Sequence, residues 1–199
     1  MLKEVALTNA KAERKERSRE RILASAGVLL REKGISGASV AEVMEGAGMT
    51  VGGFYAHFPS KRTLVAETLR DVLRRSRSML AASAGEKRGA EWVKAVARGY
   101  LSRQHRDDPR AGCPLPATLG EISREDAEVR EALAAELGVT VEEMASRLEE
   151  AGVEDPRGEA LALFSIMVGG LTLARALRED ALSDRILLAC RRHIERYLA

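Results

Sequence analysis

The chain has 199 residues, 45% hydrophobic and 31% charged, enough apolar material for one domain or two small ones. Aromatic residues make up only 4%, and β-branched residues are sparse beside Ala, Leu, Glu and Arg, which excludes a sheet-dominated fold. The net charge of +2 divides unevenly: residues 1–80 hold 15 Lys+Arg against 9 Asp+Glu and residues 81–199 hold 17 against 21, so a basic front precedes a mildly acidic rear. Such asymmetry points to an N-terminal module that meets an anion.

Apolar residues recur at helical spacing in every long segment, so the chain reads as all-α. Residues 3–21 form a charged lead-in, expected to be frayed at its start. A first helix is expected from about Ser18 to Lys33, with Ile22, Leu23, Ala26, Leu29 and Leu30 on one face and Gly34 as its stop. Ser39 then caps a short helix over Val40–Gly46, with Glu42 as the reciprocal partner of a capping box. Thr50 caps a third short helix that ends near Phe58, and Pro59-Ser60 starts a long fourth helix through Leu64, Leu69, Leu73 and Leu80. Short helix, turn with Gly48 in the left-handed position, short helix is the spacing of a helix-turn-helix.

The second of those short helices is where chemistry concentrates. Phe54, Tyr55 and Phe58 are three of the six Phe and Tyr residues of the whole chain. Phe54 and Phe58, four apart, suit a small core. Thr50, Val51, Gly52 and Gly53 lie at the end that a recognition helix presents to base edges, and Tyr55, His57 and Lys61 carry groups suited to phosphate oxygens. Two helical glycines cost about 1 kcal/mol each relative to alanine, and close approach of the backbone to DNA is a reason to keep them.

Residues 18–64, and "SVAEVMEGAGMTVGGFYAHFPSKRTL" in particular, resemble the DNA-binding domain of the TetR family of bacterial transcriptional regulators. The resemblance implies DNA contacts from Ser39, Thr50, Gly52, Tyr55, His57 and Lys61, and backbone contacts from Arg17 and Arg21. Val51 departs from the polar or basic residue common at its position. The fold so implied is an N-terminal three-helix DNA-binding domain over residues 1–62, joined to a helical effector-binding and dimerisation domain over residues 63–199. The implied partners are a double-stranded, palindromic operator, a second copy of the chain and a small-molecule effector, in a ligand-responsive repressor.

Beyond Gly85, helices are expected over about Ala90–His105, Ala117–Ser123, Asp126–Ala151, Gly158–Leu177 and Ser183–Leu198. The segment around Leu161, Phe164, Met167, Val168 and Leu171 is apolar on nearly all sides, which requires burial all round. With Ile186, Cys190 and Ile194 on the last helix, it suggests a two-fold four-helix interface, Gly169 and Gly170 permitting close approach. Trp92 and Tyr100, with Cys113 and Leu115, are candidate walls of an effector pocket; Trp92 and Tyr100 fit core equally. Cys113, entering a helix, is either a thiol of depressed pKa that senses oxidants or electrophiles, or a small buried hydrophobe.

Two cysteines are too few for a disulfide framework, and with His57, His105 and His193 they offer no metal-ligand spacing. No glycine-rich phosphate loop of a recognised type is present. No metal, no cofactor and no catalysis are expected; a helical interaction module without DNA binding remains the rival reading. The first 22 residues contain no apolar signal core, and the uncharged stretch Ala160–Ala174 is shorter than the roughly 20 residues that span a bilayer. A cytoplasmic protein without membrane contact is therefore expected.

Overall fold

The structure, a computed structural model, describes residues 2–199, with side chains from Lys11 onward. Among the described residues every regular element is helical: α1 (Leu2–Gly37), α2 (Val40–Gly46), a 310 segment (Val51–Ala56), α3 (Lys61–Ser83), α4 (Gly89–Tyr100), α5 (Arg103–Asp107), α6 (Leu115–Ile122), α7 (Ala127–Glu150), α8 (Pro156–Ala176) and α9 (Ala181–Tyr197). The charged lead-in is not frayed but continues α1 back to Leu2, and α1 breaks at Gly34, whose φ of 72° no side chain with a Cβ adopts readily. Ser39 and Glu42 form the full capping box at the start of α2.

Two expected elements differ. The segment after Thr50 is a 310 turn, closed by Gly53 N–H to Thr50 O at 3.0 Å and His57 N–H to Phe54 O at 2.9 Å. Two adjacent glycines weaken the α-helix here, and the tighter helix needs fewer residues to close. The Thr50 side chain makes no capping hydrogen bond. The expected helix over Ala90–His105 divides at Leu101, where Ser102 takes an extended conformation and its hydroxyl accepts from the His105 N–H at 3.1 Å, starting α5 afresh.

Two apolar clusters organise these elements. A small one joins Ile22 and Ala26 of α1 with Val43, Met44, Ala47, Phe54, Phe58 and Leu64. A large one begins at Leu30 and Ile35 of α1, takes up Val65 and Leu69 of α3, and runs through the second lobe to Leu198. Helix α3 therefore belongs to both, Leu64 closing the small core and Val65 opening the large one. In the second lobe α7 packs on α3 and α8, and α9 on α8.

Helix α8 is long and apolar enough to cross a membrane by length and composition. Its packing makes it a core helix, because Leu163, Met167, Leu171 and Ala174 are buried within the same chain. This corrects part of the expected dimer surface. Met167 at 2%, Leu171 at 0% and Ile194 at 0% exposure have no area to offer a second subunit, and Val168 retains only 6%. The two glycines also part company. A Cβ at Gly170 would stand 2.7 Å from Cys190 Sγ, so this glycine and Cys190 form the α8–α9 seam inside the chain, whereas Gly169 has nothing within 4 Å. Leu161, Gly169 and Leu173 remain on the open face of α8, and Phe164 and Ile186 are half-buried.

Candidate nucleic-acid interface

The turn between α2 and the 310 segment follows the sequence closely. Gly48 has φ 64°, and its N–H is held by Glu45 O at 2.8 Å. Next to it stands the Arg21 guanidinium from α1, with Nη2 2.8 Å from where a Cβ of residue 48 would sit. Arg17, one turn earlier, is exposed and lies 3.8 Å from Glu13. The middle of α1 thus sets Arg21 beside the turn, with Arg17 exposed one helical turn earlier on the same helix.

Within the 310 segment, inward and outward residues separate cleanly. Phe54 and Phe58 are buried, with ring centroids 5.9 Å apart, and the Arg19 guanidinium lies 4.9 Å from the Phe58 centroid while pairing with Glu67. Tyr55 braces its ring edge-on against Phe54 at 5.2 Å and leaves 76% of its surface to solvent. Thr50, Val51 and Gly52 are exposed. A Cβ on Gly52 would meet nothing within 4 Å, and one on Gly53 only Met44 Cε at 3.8 Å. The fold itself therefore does not require either glycine, and their shared effect is a low, bare backbone on the outer surface.

Three further positions are more constrained. Ser39 donates its hydroxyl proton to Glu42 Oε2 at 2.8 Å, and its N–H goes to the same oxygen at 3.2 Å. Both of its donors are thus engaged in capping α2, which leaves none for the phosphate contact implied by resemblance. Lys33 completes the corner by donating to Glu42 Oε1 at 2.7 Å, and with Ser39 it holds the Glu42 carboxyl down at about 2. Lys61 donates one proton to Ile35 O at 2.9 Å and keeps two. His57 is half-buried, with Nδ1 turned inward and unpartnered in the protein.

The candidate effector residues prove to be core. Trp92, Tyr100, Cys113 and Leu115 are all buried. Trp92 and Tyr100 wall a void of about 30 Å³, room for about one water molecule. Leu115 lies on a surface groove of about 560 Å³ with Leu119, Leu137, Phe164 and Leu173. A separate cavity of about 340 Å³ opens between α3 and the α4–α6 connection, lined by Ser76, Met79, Leu80, Gln104, His105 and Gly112 among others. Sequence reading missed this cavity because its walls are two segments about 30 residues apart and carry no shared pattern.

Of the two readings of Cys113, the structure favours the small buried hydrophobe over the thiol of depressed pKa. Burial pushes the thiol up and outweighs its hydrogen bonds and the pull of the Arg175 and Arg31 guanidinium groups. Its neighbour His105 is fixed as a neutral ring. Nδ1–H donates to Tyr100 O at 2.7 Å, and Nε2 accepts the Cys113 N–H at 2.8 Å. Burial, reinforced by Arg175 and Arg31, drives the His105 pKa from 6.5 to about 4. The unfolded imidazole binds a proton in that window and the folded one does not. Stability is therefore full above pH 6.5 and falls as pH drops towards 4, by about 3 kcal/mol in all. Urea midpoints at pH 7.5 and 4.5 test this, and His105→Gln should lose that part of the acid sensitivity.

Comparison with known proteins agrees with this geometry. The TetR-family model of bacterial regulatory proteins matches residues 22–68, and that of the C-terminal domain of LmrA/YxaF-like transcriptional regulators matches residues 89–186. The chain belongs to the TetR family. A curated relative, an uncharacterised HTH-type transcriptional regulator of Mycobacterium tuberculosis, is 29% identical over 169 residues, covering 81% of this chain and 86% of its own. The fold of the reduced form of Escherichia coli NemR is similar, with a TM-score of 0.79 at 20% identity over 90% of this chain and 95% of that one. A TetR regulator from Chloroflexus aurantiacus has a TM-score of 0.75 at 24% identity, covering 94% and 96%. As a TetR-family member the chain is a transcriptional regulator with a helix-turn-helix DNA-binding domain.

Proposed function

We propose that this regulator is a ligand-responsive repressor that binds a palindromic operator as a homodimer in the cytoplasm. Residues 1–62 would read DNA, and residues 63–199 would bind the effector and pair the subunits. The observation that carries the DNA-reading surface is the outer face of the 310 segment. Thr50 keeps an uncommitted hydroxyl, Tyr55 projects its phenol, and Gly52-Gly53 form a bare backbone that packing does not explain. Arg17, Arg21 and Lys61 flank that face with cations for phosphate, and His57 Nε2 and the Val51 methyls lie on the same segment. Ser39 supports the surface as the cap of α2.

Pairing through the open face of α8, with Leu161, Gly169 and Leu173, would set two such surfaces one or more helical turns apart. The cavity lined by Ser76, Met79 and His105 is the effector site this reading favours over the buried cluster around Trp92, and its mixed lining of apolar side chains, serine hydroxyls, Gln104 and the Asp108 carboxyl suits a small molecule with both apolar and polar groups. A reactive-thiol sensor needs an accessible sulfur, and Cys113 is 3% exposed.

The test is fluorescence anisotropy with DNA from beside the protein's own coding region and a scrambled control, across a salt series. Preferential binding that weakens steeply with salt supports the regulator. Tyr55→Phe with Thr50→Ala should lower affinity for the preferred duplex by roughly 100-fold or more, since each lost charged-group hydrogen bond is worth about 1.5–3 kcal/mol. Equal, weak binding to both duplexes would favour a helical interaction module instead.

A further inference from the structure

We propose that Glu121 is the positioning residue through which the second lobe holds the DNA-reading head in register, an inference that rests on the regulator reading above. Helix α1 breaks at Gly34, and the peptides that follow it begin a fresh final turn that ends at Gly37. Their N–H groups need an acceptor from elsewhere. Glu121 on α6, 85 residues further along the chain, supplies both. Ile35 N–H donates to its Oε1 at 2.9 Å and Ser36 N–H to its Oε2 at 2.7 Å, so each carboxylate oxygen holds one peptide. Burial works against the charged form, yet the Ser36 and Ile35 donors prevail and keep this carboxyl below the usual range. Gly34 is part of the fit, because a Cβ there would overlap the Glu121 carboxylate oxygen and stand 3.1 Å from Ala117 O.

The same peptide is gripped from its other side. Lys61, the first residue of α3, donates to Ile35 O at 2.9 Å. The stretch leading into α6 adds two more ties to the end of α1: Arg31 Nε donates to Gly112 O at 2.6 Å, and Arg110 pairs with Glu32. Helices α1 and α3 each contribute to both apolar clusters, so the head can turn about the α3 axis only if the end of α1 moves with it. Contacts from α6 and its lead-in, off that axis, remove the rotation.

This arrangement places regulation on one short segment. Gly112 walls the cavity of about 340 Å³, and Leu115 and Leu119 wall the apolar groove. Residues 110–122 thus face both spaces while holding the last turn of α1. A molecule that shifts this segment moves Glu121 relative to Ile35 and Ser36 and releases the head, without needing to displace α3 along its length.

The experiment compares wild type with Glu121→Gln and Glu121→Ala, using Glu131→Gln on the exposed side of α7 as control. The probes are a duplex selected from a random-sequence pool by the wild-type protein and a scrambled duplex of equal length; amide hydrogen exchange is read on the free protein. The expected result is a loss on the order of tenfold in affinity for the selected duplex, less than about twofold for the scrambled one, since phosphate attraction needs no register. Exchange should accelerate at Ile35 and Ser36 while the amides of Ile22, Val43 and Phe54 keep their protection. Selected-duplex affinity within about twofold of wild type in both variants overturns the proposal. So does loss of protection throughout the head, which would make Glu121 a stability residue only. If the pool yields no enriched sequence, the regulator reading fails, and exchange at Ile35 and Ser36 alone supports or overturns the staple.

Discussion

Replacing Phe58 with alanine is expected to unfold the DNA-reading head and abolish DNA binding while the second lobe stays folded. The small cluster consists of eight buried residues, and Phe58, at 0% exposure, is among its largest side chains. Truncating a buried Phe to Ala costs about 3–5 kcal/mol, of which part is the cavity left behind. The neighbours cannot close that cavity readily. Phe54 is held in the 310 segment and stacks on Phe58, and Arg19, on the other side, is anchored to Glu67. Losing the ring therefore also frees the guanidinium and loosens the stacked pair. The large cluster has its own contacts from Leu30 to Leu198 and no dependence on Phe58. Amide exchange should show protection lost over residues 40–58 and kept in α7 and α8, with most of the helical circular dichroism retained. A variant that melts as one unit would show that the two clusters are a single cooperative core.

If the proposed homodimer pairs through α8, Leu173→Glu is expected to convert it to a monomer and reduce operator affinity by about 100-fold or more, because two linked half-site contacts become one. Leu173 is 56% exposed and, with Leu161 and Gly169, lies on a face of α8 left open to solvent among the described residues. A carboxylate here meets only water in the monomer, so the fold should tolerate it. In a two-fold pairing it lies close to its own symmetry mate, and burying two like charges in an apolar seam is prohibitive. Sedimentation at micromolar concentration reads the mass, and thermal unfolding reads the fold. A variant that remains a dimer would place the interface elsewhere, with the groove beside Leu119 and Leu173 left to a small ligand. Leu171→Ala, in contrast, should destabilise the monomer itself, by about 2–5 kcal/mol, since Leu171 is buried in the chain's own core.

The sequence by itself determined the helical class, the capping box of Ser39 and Glu42, the left-handed turn at Gly48 and the inward pair Phe54 and Phe58. These features obey rules that act within about four residues, such as cap geometry, the steric limit on positive φ and the 3.6-residue period. Only the tertiary structure decided how the apolar stripes of α8 are shared out. Period alone shows that a helix is buried on several sides, not which side faces its own core and which faces a partner. The same limit hid the 310 form of the segment after Thr50, the burial of Cys113 and the pairing of Glu121 with Ile35 and Ser36. A thiol's reactivity depends on the atoms that bury it, and a carboxylate's partners depend on which loop the fold brings to it. Neither is a property of neighbouring residues in the chain.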